Sequence, residues 1–198
     1  MIERYPVESL ILKTKFKYHD RYKKKILKLL GESDDQAFAK KDNYYQDKLL
    51  KTDWPDADNW ERPWVKYATK GIYEQLKLFA QHLGYQDLHL HKLWYQQYQQ
   101  NDMHNWHTHH GNYTGTYYLE QDETSPYTEF LYPNNLKQPF TIAVEEGDML
   151  FFPCYFIHRS ALSKSKNIKS IISWNTDFNK IKPECFNIND TVHRLRRI

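Results

Sequence analysis

Seven short apolar segments follow residue 87, each closed by a cluster of Asn, Asp, Gly, Pro or Lys. They span 88–99, 113–120, 128–131, 140–144, 149–152, 156–160 and 168–175, and most are too short for a helix. Runs of this length between turn residues read as β-strands. Six or seven of them after a helical start predict a mainly β chain, a jelly-roll barrel with N-terminal helices packed outside. Aromatic residues make up 16% of the chain, which suits strands and argues against a disordered chain. At 198 residues the chain is long enough to bury a core. The predicted organisation is one domain over 1–198, with a helical, lid-like region at 1–86, the β core at 87–178 and a tail at 179–198.

Within the first 86 residues, 3–13 alternates loosely and predicts an early strand. Residues 19–30 place Tyr22, Ile26, Leu29 and Leu30 at helical spacing, with lysines opposite and Gly31 as the C-cap. The best helix covers 67–83, with Ile72, Leu76, Leu78, Phe79 and His82 near its buried stripe and Gly84 behind it. Between the helices, 31–64 is polar and carries Pro55, Pro63 and three tryptophans. It predicts a long surface excursion with little regular structure.

Charge and cysteine content narrow the function classes. Twenty-eight Lys and Arg against 25 Asp and Glu leave a net charge of +3. Basic residues cluster only at 13–28 and 194–197, which is no footprint for nucleic acid. Cys154 and Cys185 are too few for a disulfide scaffold or a four-thiolate zinc site. Cys154 lies in the apolar run 149–157 and reads as a small buried hydrophobe. That run, nine residues long, is too short to cross a bilayer, and no secretory signal opens the chain. A soluble, cytoplasmic protein is expected.

Four of the ten histidines fall between 104 and 110. On a strand, His107 and His109 would share one face, about 6.5–7 Å apart along the backbone, and could converge on one ion. His110 would point away if the strand continued, an exclusion that the turn signal Gly111-Asn112 weakens, and His104, at odd spacing, would line the entrance or make an outer hydrogen bond. Far downstream, Gly147-Asp148-Met149-Leu150-Phe151-Phe152-Pro153 is a turn feeding an apolar strand, and His158 follows five residues later. A histidine buried there must be paired or ligated. Imidazole donors suit Fe, Zn, Ni or Cu rather than Mg or Ca, and three histidines also suit catalytic zinc.

Four blocks then carry a resemblance. They are Asn105-Trp106-His107-Thr108-His109-His110-Gly111, Thr114-Gly115-Thr116-Tyr117-Tyr118-Leu119, the Gly147 to Pro153 block with His158, and Lys169-Ser170-Ile171-Ile172-Ser173-Trp174-Asn175. In this order and spacing they resemble the 2-oxoglutarate/Fe(II)-dependent oxygenase superfamily, above all its prolyl-hydroxylase-like branch, which is also common in phage genomes. The likeness covers about 88–178. It implies a double-stranded β-helix, cupin-like in form, holding one Fe(II) with 2-oxoglutarate as cosubstrate. It further implies O2-dependent oxidation, hydroxylation by default, of a small-molecule or peptidyl substrate, in the host's cytoplasm if the chain is phage-encoded.

Carried over residue by residue, His107 is the first iron ligand and His158 the distal one, and Lys169 anchors the far carboxylate of 2-oxoglutarate. Lysine is a point charge without arginine's fork, so a hydroxyl from Tyr98, Tyr117 or Ser173 should help fix that carboxylate, with Asn175 nearby. The departure is His109, where the superfamily pattern has Asp or Glu. We assign His109 as the third ligand; Asp102 and Glu129 are the substitute carboxylates, though neither stands two residues from His107. Trp94, Trp106, Tyr113, Tyr118 and Trp174 read as core or wall residues, and 43–64 as a substrate lid. Two other readings stay open: a cupin-type metal enzyme that does not use 2-oxoglutarate, and a non-catalytic jelly-roll binding module.

Overall fold

A computed structural model describes residues 8–41 and 46–183. Along the chain run β1 (Leu12–Lys15), α1 (His19–Gly31), β2 (Phe38–Lys41), β3 (Gln46–Leu49), β4 (Lys51–Thr52) and α2 (Pro63–His82). The β region follows with β5 (Tyr85–Tyr98), β6 (His104–His107), β7 (Tyr113–Glu120), β8 (Thr128–Tyr132) and β9 (Asn135–Thr141). It closes with β10 (Asp148–Pro153), β11 (His158–Ser160) and β12 (Lys169–Ile181). The larger sheet has the order β1-β10-β7-β12-β5-β4 and the smaller one β6-β11-β8-β9, with every pairing antiparallel. All seven predicted strand segments overlap one of these strands. The result is the predicted jelly roll.

The larger sheet is buried on both faces, which is why its strands read as continuous apolar runs. Side chains alternate between faces along a strand. Met149 and Phe151 of β10, with Ile172 and Trp174 of β12, join the helices in one cluster, while Leu150, Phe152 and Ile171 face the smaller sheet in another. Gly115 of β7 is required where these layers close: a Cβ there would stand 2.3 Å from the Leu150 carbonyl oxygen and 2.4 Å from the Trp174 ring.

Helix α2 lays Val65, Ala68, Ile72, Leu76 and Phe79 on the sheet. It starts four residues before the predicted 67, because Pro63 occupies the first helical turn, where a missing N–H costs nothing. Leu78 and His82 are exposed rather than buried, since Leu78 lies two residues, or some 200°, around the helix from Leu76. Helix α1 buries Tyr22, Ile26 and Leu30 and runs through Gly31, with Glu32 rather than Gly31 at its cap. The early strand is at 12–15, later than the predicted 3–13, of which 1–7 lie outside the described residues.

The main correction is at 31–64. Strands β2 and β3 pair as a hairpin, and β4 extends the larger sheet beside β5. The polar sequence concealed this because its contacts are anchored by polar groups. Asp53, buried, accepts hydrogen bonds from the Tyr95 amide (2.9 Å) and Trp64 Nε1 (2.7 Å) and pairs with Arg62. Burial raises the Asp53 pKa, and the Arg62 charge opposes that rise. Much of the predicted lid is therefore built-in structure. Cys154 is buried as expected, and burial pushes its thiol up to about 12. Cys185, the 194–197 cluster and most of the predicted tail lie outside the described residues, and β12 continues through 180 and 181. Among the described residues, no helix is long and apolar enough to cross a membrane.

Candidate metal centre

His107 and His158 face each other across paired strands, β6 and β11. Their rings lie 4.4 Å apart between centroids. His109 is not on the strand, as the spacing predicts, because β6 ends at His107. It reaches the same point from a loop that hydrogen bonds hold in place. Its amide donates to the Cys154 carbonyl (3.2 Å), and the Cys154 amide donates to the Asn112 carbonyl (3.1 Å). Asn112 in turn exchanges side-chain hydrogen bonds with Phe178 of β12 at 2.9 and 3.1 Å. Gly111, at φ +98°, makes the turn where a Cβ would press on the Thr176 carbonyl oxygen at 3.2 Å.

The ligand nitrogens of the three histidines lie within 4.8 Å of one another, and among the described residues this is the one such group that could hold an ion. His107 Nδ1 lies 2.6 Å from the Asn105 carbonyl and His158 Nδ1 2.9 Å from that of Phe156. A carbonyl only accepts, so each Nδ1 carries the proton and each Nε2 presents a lone pair. His109 Nε2 stands 3.2 Å from the bare His158 Nε2, a separation that requires a shared proton or a shared cation. Burial lowers the pKa of His107 and His158 and takes His109 down to about 3. All three are neutral at pH 7, the form that ligates. The donor set fits an imidazole-preferring metal.

Neither substitute carboxylate joins the group. Asp102 is fully buried, accepts the Gln99 amide and pairs with Lys48 at 3.2 Å, while Glu129 pairs with Arg159 at 2.6 Å. His104, set aside for its odd spacing, faces the cavity with His107, its ring centroid 4.1 Å away. A β-bulge explains this: His158 pairs with His107 and Ser160 with His104, so β6 spends one extra residue. His104 Nδ1 is buried, lies 3.4 Å from Asp47 and makes no hydrogen bond.

A cavity of about 280 Å³ runs from the histidines between the sheets. Along β5 it is lined by Trp94, Gln96 and Tyr98, and along β12 by Ile171, Ser173 and Asn175. Lys169 sits behind its inner end, fully buried. Its Nζ donates to the Pro126 carbonyl (2.6 Å) and the Ser160 hydroxyl (3.4 Å) and lies 5.6 and 5.7 Å from the rings of Tyr98 and Tyr118. No carboxylate touches it among the described residues, and burial lowers its pKa to about 7. Tyr117 is a correction: it points to the opposite face of β7, where its hydroxyl meets His19 Nδ1 at 2.7 Å. Tyr118 takes the place expected for it, a difference of one residue that flips a strand side chain across the sheet. The inward Thr114 and Thr116 were the signal for that register. Trp94 is a cavity wall, Trp106 lies under the Arg159 guanidinium at 4.4 Å, and Tyr113 and Trp174 pack in the helix-side core.

The sequence matches no protein-family model and no curated protein. Solved structures do match. A 2OG-Fe(II) oxygenase family oxidoreductase from Burkholderia pseudomallei aligns at TM-score 0.63 and 9% identity, over 80% of each chain. A Pseudomonas putida prolyl-4-hydroxylase aligns at 0.57 and 11%, over 87% of this chain and 93% of that one. A Trichoplax adhaerens prolyl hydroxylase, solved with a hypoxia inducible factor peptide fragment, aligns at 0.57 and 15%, over 83% and 82%. By its fold, the chain is a double-stranded β-helix of the kind found in 2OG-Fe(II) oxygenases.

Proposed function

We propose that this chain is an Fe(II)- and 2-oxoglutarate-dependent oxygenase that hydroxylates a small-molecule or peptidyl substrate, with His107, His109 and His158 holding the metal. The observation that carries this reading is Lys169, a buried cation beside a histidine cluster with no carboxylate partner among the described residues. A lone buried charge is costly, which favours a ligand carboxylate as its partner. Ser160 and His158 share one face of β11, two residues or about 6.5–7 Å apart. The Lys169 ammonium, beside Ser160 Oγ, therefore sits about one short dicarboxylate from the histidines.

The chain's groups then divide the work. Lys169 neutralises the far carboxylate, and the Ser160, Thr128 and Tyr98 hydroxyls lie where they can orient it. Ser173 and Asn175 line the end nearer the histidines. The carbonyls of Asn105 and Phe156 hold His107 and His158 in the ligating tautomer. When bound, iron and 2-oxoglutarate supply the oxidising chemistry, in which O2 is consumed and 2-oxoglutarate is decarboxylated to succinate as the substrate C–H is oxidised. The peptide held by the Trichoplax neighbour supports a peptidyl substrate as one option.

An all-imidazole donor set also suits a cupin-type metal enzyme without 2-oxoglutarate, and the buried Lys169 favours the 2-oxoglutarate reading. Under anaerobic conditions, Fe(II) with 2-oxoglutarate should give the weak visible charge-transfer band of the chelate. The band should disappear in Lys169→Ala while metal content stays at one per chain. No band from a verified iron-loaded protein would sink the 2-oxoglutarate reading.

A further inference from the structure

The cavity continues past the histidines, away from Lys169, to a mouth walled by two tryptophans. Trp94 lies beside His109, with ring centroids 5.6 Å apart and planes 33° from parallel. Trp54 meets Trp94 edge-on at 4.6 Å and is 39% exposed, so an apolar shelf leads from solvent to the candidate metal.

The backbone that carries the half-exposed Trp54 is anchored. Here the Trp54 amide donates to Thr52 Oγ1 (3.2 Å), and that hydroxyl donates to the Tyr95 carbonyl (2.7 Å). Its neighbour Asp53 is locked to Arg62, Trp64 and the Tyr95 amide. The chain thus fixes the backbone that presents Trp54, and the indole packs edge-on against Trp94, so a large apolar surface stands at the mouth of the cavity.

A pair of tryptophans could equally suit an organic cation, which favours the face of an indole. Two features decide against it. The Lys92 ammonium already lies 5.0 Å from the Trp54 ring centroid and would repel a second cation. Among the described residues no Asp or Glu lines the cavity, whereas Arg159 does.

We infer that the Trp54–Trp94 shelf is a substrate subsite for a flat or cyclic apolar group, neutral or anionic and not cationic, presented beside His109. This deepens the oxygenase reading and rests on the histidines being the reacting centre. The test uses the full chain loaded with Zn(II), which cannot turn over, and three probes of one shape: phenylacetamide, phenylacetate and phenethylammonium. Hexanamide serves as the acyclic control. Binding is read by saturation-transfer NMR and titration of tryptophan fluorescence.

The amide and carboxylate should bind at least tenfold tighter than the ammonium, and phenylacetamide tighter than hexanamide. Trp54→Ala should cost tenfold or more with a melting curve like the parent's. Lys92→Met, at a half-buried position, should raise the affinity for phenethylammonium. Equal binding of the cation, equal binding of hexanamide, no effect of Trp54→Ala, or no binding by any arene would overturn the inference. Each of these leaves the Fe(II)–2-oxoglutarate band untouched, so failure of the subsite is distinct from failure of the oxygenase assignment.

Discussion

Lys169 is the residue whose chemistry is most exposed to measurement. Its folded pKa of about 7 lies below the 10.5 of an unburied lysine, and burial is the cause. Between those values the unfolded chain holds a proton that the folded chain has released, so stability without ligand rises with pH from about 7 towards 10.5. Below about 7 both states are protonated and the penalty of the buried charge is fully present. Chemical denaturation across pH 6.5–9.5 should show this rise in the parent chain and lose it in Lys169→Met. As the proposed anchor of 2-oxoglutarate, Lys169 must carry its proton, so the cosubstrate's affinity should be highest below pH 7. Above that, calorimetric titration should show it weakening by up to tenfold per unit until the pKa of the bound state is reached. The histidines differ in what they supply. His109→Ala removes a donor and should weaken metal binding by more than the ~10–100-fold typical of losing an outer partner. His104→Gln should leave one metal per chain, because His104 is outside the group of three. His107 and His158 were legible from the spacing of their motifs. His104 was expected at the entrance and does line the cavity, but that it shares a face with His107 was not legible, since a one-residue bulge leaves no mark in the sequence.

At the scale of elements, polar anchors position the site. The loop carrying His109 is tied to the turn after β10 and to β12 through Cys154 and Asn112. The turn carrying Trp54 is tied to α2 and β5 through Asp53 and Arg62. Asp53→Ala would leave the Arg62 guanidinium with its charge partner gone and the Tyr95 amide unpaired. Breaking a buried pair in this way costs about 3–5 kcal/mol, and thermal melts should show a corresponding loss of stability. Strands β5, β7, β10 and β12 were readable because burial on both faces demands apolar residues throughout. The β2–β3 hairpin and β4 were not, because their strands are short and rich in Lys, Asp and Gln, and β4 is held by its pairing to β5, far along the chain.

For the whole molecule, the candidate metal joins strands and loops from both sides of the barrel: His107 and His158 from the smaller sheet, and His109 from the connection into the larger one. A ligand that binds only the folded state stabilises it, by about 2.7 kcal/mol at a hundredfold excess over Kd. Zn(II) or anaerobic Fe(II) should therefore raise the melting temperature, and a chelator should return it to the starting value. An unchanged melting curve at saturating metal would count against the three-histidine site. Local pattern by itself determined the strand-rich region, both helices and the two motif blocks bearing His107 and His158, because periodicity and turn residues act within a few positions of the chain. Tertiary structure decided the rest. It brought a loop histidine to the strand pair, set Tyr118 rather than Tyr117 beside Lys169, and buried that lysine away from any carboxylate of the described residues. Each outcome depends on register, bulges and long-range hydrogen bonds, which are fixed only when the two sheets close on one another.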